Sequence, residues 1–359
     1  MLKRQHRLQF IRRRAAATAV NFTTHYHFVM NDGRCCHYNR PPTRTDMPTL
    51  TFFPSRRDVG ARIKDNVKLL LGAIVYPIQS QRWRHFVRGN PVLCELARRY
   101  PRIQHKIYRP YLSASLRCSD RVDVLIGHYS HMFRAGLGEL TGEAALQAVQ
   151  LAEFAGKTGA MFQLLLSAIN VGHREGELTL KLMHEGACLY SASFALIPLH
   201  HAPSIALGSL QGLRSLDGAD VIKGVTRELH GCRPKKLMVS VVRAIGDSLG
   251  CSRLLLVSNE NRITVNGRRA SRISSNYDET WEEMGARRCP DGNFELPCAD
   301  PGQNIALVAS NKRAEARRRS TLLGAVCADV QSSLNNRKIH TAYSVLRGNT
   351  TPIPLLSRS

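Results

Sequence analysis

Four apolar runs, MFQLLLSAIN, GELTLKLMH, CLYSASFALIP and SIALGSLQG, follow one another between Met161 and Gly212. Only the short segments His173–Gly176, Glu185-Gly186 and His200–Pro203 separate them. Parallel neighbours in a sheet need a crossover of about a dozen residues or more, which these connections do not supply. The runs are therefore expected to form antiparallel hairpins, strand after strand, in a meander. In the second run Leu178, Leu180, Leu182 and His184 alternate with Glu177, Thr179, Lys181 and Met183, as in a half-buried strand.

The chain before the meander has a different period. DVGARIKDNVKLLLGAIV places apolar residues at 59, 63, 67, 70, 71 and 74, which is helical spacing. QRWRHFVRG continues in the same way. In NPVLCELARRYP, Asn90 caps, Pro91 opens and Pro101 stops a helix. SDRVDVLIGHYSHMFRAG reads as a helix capped by Ser119 and ended near Gly136, and TGEAALQAVQLAEFAG as one more helix. The expected class is α+β, a helical N-terminal region followed by a mainly antiparallel sheet flanked by helices. The expected division is a basic arm at 1–46, helices at 47–155, an α+β core at 156–335 and a tail at 336–359. The arm carries Lys3-Arg4 and Arg12-Arg13-Arg14 against Asp32 and Asp46, and reads as disordered or as a non-native extension ahead of Met47.

After the meander a helix is expected near 219–230. His230-Gly231-Cys232-Arg233-Pro234-Lys235-Lys236 then leads into a helix with Leu237, Met238, Val241, Val242, Ile245 and Leu249 on one side. Pro234 suits its first turn and Gly250 its end. Arg253–Val257 is a short buried strand that finishes in Ser258-Asn259-Glu260-Asn261. SNYDETWEEMG is a helix, strands are expected around 292–296 and 304–309, and NKRAEARRRSTLLGAVCADV is a last helix with a basic first half.

The charge is lopsided, 51 Lys and Arg against 27 Asp and Glu, a net of +24. That favours an anionic partner, whether a coenzyme or other small anion, nucleic acid or a membrane surface. The 10 cysteines are scattered with no Cys-x-x-Cys pair, which suits reduced thiols and a cytoplasmic location. No apolar stretch reaches the roughly 20 residues of a membrane span; LLLGAIVYPI at 69–78 is about half that. No metal site is expected, since His128 and His131 have no matching second pair of ligands. Walker loops, Gly-x-Gly-x-x-Gly and nucleophile elbows are missing.

A loop that brings cations and amides to a helix start is an anion cradle, so His230, Arg233, Lys235 and Lys236 are candidate cofactor-binding residues. Asn259 and Asn261, at the end of a buried strand, join them. The segments RPYLSASLRCSDRVDVLIGHY, HREGELTLKL, LHGCRPKKLMV, LLLVSNEN, YDETWEEMGA and SNKRAEARRRSTLL occur in an order that resembles the VirK/YbjX-like bacterial proteins, over about residues 58–335. The resemblance implies a cytoplasmic protein of Gram-negative bacteria linked to virulence, envelope stress and tolerance of cationic antimicrobial peptides. It carries over no catalytic residues.

A weaker resemblance is to the GNAT acyltransferase fold, through the order of four antiparallel strands, helix, strand, helix and two strands. It implies a coenzyme A thioester bound at residues 230–236, with an inserted helix at 213–229 and without that fold's glycine signature. Under that reading Glu175 or Glu177 is the base for an acceptor amine, and Tyr277 the donor to the departing thiolate. The alternative is a non-enzymatic regulator that binds RNA or an anionic membrane surface through basic helices such as the one holding Arg317-Arg318-Arg319.

Overall fold

The computed structural model describes residues 56–168, 174–198, 203–213, 218–263, 276–300, 302 and 305–346. The basic arm lies outside them. Five helices come first: α1 (Arg56–Val75), α2 (Pro77–Gly89), α3 (Pro91–Arg99), α4 (Cys118–Arg134) and α5 (Gly138–Leu146). A 3-10 segment, Pro101–Tyr108, links α3 to α4. Asn90 caps α3 through its side chain, which accepts from the Leu93 amide at 3.0 Å, and Pro91 starts it.

The meander is β1 (Val149–Ala155), β2 (Met161–Ala168), β3 (Leu178–His184), β4 (Ala187–Ile197) and β5 (Ser204–Gly212). Then come α6 (Gly218–Glu228), α7 (Pro234–Ser248), β6 (Arg253–Leu256), α8 (Tyr277–Glu283), β7 (Arg287–Arg288), β8 (Phe294–Pro297) and α9 (Arg313–Leu346). The eight strands form one sheet in the order β1-β2-β3-β4-β5-β6-β8-β7. Every pairing is antiparallel except β5 with β6, whose crossover carries α6 and α7. The class is α+β, as expected. The β3–β4 turn is Glu185-Gly186, both residues left-handed at φ 48° and 77°, which the right-handed twist of a tight hairpin favours.

Four local readings need correction. Residues 149–155 are the edge strand β1, not the end of a helix. Their Gln, Leu, Ala and Glu residues have high helix propensity, but pairing with β2 overrides it. The helix expected from Ser119 starts at Cys118; Arg117 is its cap residue, its amide held by Asp120 Oδ2 at 2.8 Å. Ile305–Leu307 is a 3-10 turn rather than a strand. The last helix does not end with the segment read as helical, at Val330, but runs on past the expected start of the tail to Leu346, and it packs on α7 and β1.

The core lies on both sides of the sheet. On one side α7 buries Leu237, Met238, Val241, Val242 and Ile245. It sits so close that a Cβ at Gly246 would be 2.8 Å from Ile205 Cγ2. The N-terminal helices contribute Trp83, Leu93, Ile103, Leu125 and Tyr129 to the same continuous cluster. At roughly 1.5–3 kcal/mol for each large apolar side chain taken out of water, this burial is the main term that holds the elements together.

Candidate functional site

The last third of β5 departs from regular pairing. Leu207 faces Phe194 and Ser209 faces Ser193, so Gly208 is an extra residue, a β-bulge. Only glycine fits there, because a Cβ would overlap the carbonyl oxygen of Glu175. The parallel pairing of β5 with β6 ends at the same level, at Leu207 and Leu256. Beyond it the free edge of β5 is taken by one side chain. The Tyr277 hydroxyl accepts from the Leu210 amide at 2.7 Å and donates to the Leu210 carbonyl at 3.0 Å.

Residues paired across strands share a face. Leu196, Phe194, Ala192 and Tyr190 face Ile205, Leu207, Leu210 and Gly212, which is the side covered by α7. Gln211 points to the other side with Ser191 and Lys181. There Gln211 Nε2 donates to Glu175 Oε2 at 3.2 Å. Glu175 and Tyr277 are thus both tied to β5, one on its face away from α7 and the other on its edge.

Asn259 and Asn261 fix what surrounds that edge. Asn259 Oδ1 accepts from the Tyr277 amide at 2.9 Å, its own amide donates to Asp278 Oδ1 at 2.7 Å, and its Nδ2 donates to Asn276 Oδ1 at 2.6 Å. These bonds seat the start of α8. Asn261 is buried, and its Nδ2 donates to the Asp291 carbonyl at 3.0 Å and to Asn293 Oδ1 at 3.2 Å. The side-chain bonds of both residues hold protein groups in place.

On the α7 side of the sheet a cleft of about 460 Å³ lies between α6 and α7. Tyr190, Ile222, Lys223, Thr226, Arg227, Arg233, Pro234 and Lys235 line it. The loop amides expected to face an anion are used elsewhere: His230 donates to Arg227 O, Gly231 to Thr226 O and Cys232 to Leu229 O. These bonds close the end of α6, with His230 and Gly231 left-handed at φ 51° and 74°. What the cleft offers an anion is therefore side-chain charge. Arg233 and Lys235 share Glu283 of α8, at 3.1 and 2.8 Å. Lys235, then Arg233, hold the Glu283 carboxyl below its ordinary range. Lys223 and Arg227 are exposed. Lys236 is exposed at the start of α7 but is not part of the lining. The sequence reading missed Lys223, Arg227 and Tyr190; their one-turn spacing on an amphipathic helix ahead of the loop was the available signal for the two cations.

Glu177 is somewhere else entirely. It is 1% exposed, receives Lys106 Nζ at 2.6 Å on Oε1, and accepts the Tyr129 hydroxyl on Oε2. Burial pushes the carboxyl up, but the Lys106 charge and the bonds from Lys106 and Tyr129 outweigh it and hold it below the ordinary range. Burial, then Glu177, push the hydroxyls of Tyr111 and Tyr129 well above theirs. His128 accepts from the Leu196 amide at 3.1 Å through Nδ1 and is lowered to about 4, mainly by burial. Lys106, Tyr111, His128 and Tyr129 were not anticipated as partners. The one hint was Lys106 itself, set between Ile103 and Ile107 on the apolar side of its turn.

His131 Nε2 bonds the Leu249 carbonyl oxygen at 2.8 Å, so the two helix histidines serve different neighbours. Among the described residues no cluster of three or more His, Cys, Asp or Glu side chains is set to hold a metal.

A family model described as protein of unknown function, DUF535, matches residues 59–332. The chain belongs to that family. It is 29% identical over 264 residues to the uncharacterized protein YbjX of Escherichia coli (strain K12), across 72% of this chain and 80% of that one. An uncharacterized protein of Haemophilus influenzae is 25% identical over 171 residues, across 47% of this chain and 57% of the other. The VirK/YbjX-like resemblance is thereby borne out. Among solved structures, a mutant of the cAMP-binding acyltransferase from Mycobacterium smegmatis overlays at a TM-score of 0.27, with 10% identity over 61% of each chain. An overlay of that quality assigns neither fold nor activity.

Proposed function

We propose that this DUF535 protein binds a phosphate-bearing small molecule of the coenzyme A class in the cleft between α6 and α7, and uses its thioester in acyl transfer. The observation that carries the reading is the cleft itself. Its about 460 Å³ falls in the range of small-molecule sites, and Lys223, Arg227, Arg233 and Lys235 all line it. Lys223 and Arg227 would take phosphate oxygens, and Arg233 and Lys235 would exchange part of their contact with Glu283 for them. The acyl end would then pass the edge of β5 at Leu210, where Tyr277 sits, to reach Glu175 on the opposite face. Glu175 would take the proton of an acceptor amine, and Tyr277, once released from Leu210, would supply one to the thiolate. A part in virulence, envelope stress or tolerance of cationic antimicrobial peptides belongs to the same proposal, through modification of an amine.

Thermal melting with coenzyme A or acetyl-coenzyme A tests it. At a ligand concentration of about 100 Kd the folded state gains about 2.7 kcal/mol, a rise in Tm of roughly 3–5 °C for a chain of this length. Arg227→Glu should remove the rise while the unliganded melt stays in place. Glu175→Gln should keep the rise but lose amine-dependent thiol release. If neither coenzyme shifts the melt, the reading fails. Salt-sensitive retention of RNA in its place would favour a regulator acting through the exposed Arg317 and Arg318 of α9.

A further inference from the structure

The sequence spacing that makes α1 amphipathic turns its apolar stripe away from the protein. Val67, Leu70, Leu71, Ile74 and Val75 recur at helical intervals, and Ile78, just past the Pro77 junction, continues the row. Leu70 is 64% exposed, and Ile74 and Ile78 are each 67% exposed. The inward side of the helix is instead narrow: a Cβ at Gly72 would lie 2.8 Å from the Tyr108 ring. Single exposed leucines are ordinary, but a continuous row of long aliphatic side chains is the mark of a surface that something covers.

Charge says what. From Asn66 to Cys94 the chain has no Asp or Glu, while Lys68, Arg82, Arg84 and Arg88 fall in the same stretch. Arg82, His85 and Arg88 are exposed and follow Ile78 at helical intervals along α2. The Arg82 partner, Asp123 of α4 at 2.8 Å, is itself half exposed, so that pair is weak and leaves the cation able to reach another anion. No described helix is long and apolar enough to cross a bilayer. An apolar row on a helical elbow, bordered by cations and with no carboxylate in its own stretch from Asn66 to Cys94, matches a helix that lies in the plane of an anionic lipid surface.

We propose that the α1–α2 elbow is a peripheral membrane-binding element that inserts Leu70, Ile74 and Ile78 below the headgroups of an anionic bilayer, with Arg82 and Arg88 at the phosphates. The proposal does not depend on the ligand assigned to the cleft. Each inserted side chain contributes apolar burial, and each nearby cation contributes attraction that salt screens.

The test is co-sedimentation of the full chain with large vesicles. One set is phosphatidylglycerol mixed into phosphatidylcholine, and the other is phosphatidylcholine alone. Binding to the mixed vesicles is expected, weaker at high salt and much weaker on phosphatidylcholine alone. The double variant Leu70→Gln, Ile74→Gln should bind on the order of 100-fold less tightly with an unchanged melt, since both side chains are already in water. Arg82→Glu with Arg88→Glu should abolish the preference for the anionic lipid. Absence of binding to either vesicle overturns the proposal. Undiminished binding by the Leu70→Gln, Ile74→Gln variant overturns it too, because net charge alone would then explain the attraction. A wild-type dimer that the same variant converts to monomer, without vesicle binding, would make the row a contact between copies of this chain.

Discussion

The carboxylates of Glu177 and Glu283 both pair with cations, and the two sites are built for opposite ends. At Glu177 the partners, Lys106 and Tyr129, are sealed from water. At Glu283 the partners, Arg233 and Lys235, stand at the rim of an open cleft with more than a fifth of each side chain exposed. Desolvation has already been spent at the first site, so its geometry must stay fixed and each partner depends on the others. At the second, water competes with every contact, so the pairs are easily exchanged for a ligand. The same residue types mark a structural joint in one case and an available surface in the other. Burial, not chemistry, tells them apart.

The comparison is sharpest when one partner is removed. Lys106→Met leaves the Glu177 charge buried without its cation, and chemical denaturation should show a loss of about 3–5 kcal/mol. A loss under 1 kcal/mol would mean that the cluster is wetter than its geometry shows, and would collapse the distinction.

The pH dependence comes next. The His128 ring has its ordinary value at 6.5 when unfolded but is lowered to about 4 when folded. Between those values the unfolded chain binds a proton that the folded chain refuses, so stability is full above pH 6.5 and falls as pH drops toward 4. The loss should approach about 3 kcal/mol across that window. Glu177, whose folded value is lowered, adds a further loss as pH falls below the ordinary range of an unfolded carboxylate. His128→Gln keeps an acceptor for the Leu196 amide and removes the titration. Urea denaturation between pH 7 and pH 4 should therefore show a flatter slope for this variant, and an unchanged slope would place the loss elsewhere. The smallest effect belongs to the open site. Lys235→Ala should change stability by about 0–1 kcal/mol, within the usual range for exposed pairs.

Much of the fold was legible because its signals are local. Glu185-Gly186, Pro234, Gly250 and the cap at Asn90 each act on the few residues beside them, and each stands where it was expected. The elements that escaped depend on partners outside their own segment. Val149–Ala155 is a strand only because β2 folds back alongside it, and its own letters favour a helix. The candidate site divides in the same way. That Arg233 and Lys235 sit at a helix start could be read from Pro234 and the apolar spacing after it. That their charges meet on Glu283, some 50 positions on, could not. Glu175 and Glu177 look alike in sequence, two places apart on one strand approach. One is bonded to Gln211 on the face of the sheet away from α7, and the other lies under the N-terminal helices. Their difference is created by Lys106 and Tyr129, 71 and 48 positions away.

The extra residue at Gly208 has a further consequence. Along a strand, inside and outside alternate with every residue, so an insertion works as a change of phase. Without Gly208, the letters from Ser209 to Gly212 would trade sides: Leu210 would turn toward Glu175, and Gln211 toward α7. The bulge therefore lets a single strand answer to two rhythms, one that suits the packing of the sheet up to Leu207, and one that brings a polar side chain to the face away from α7 after it.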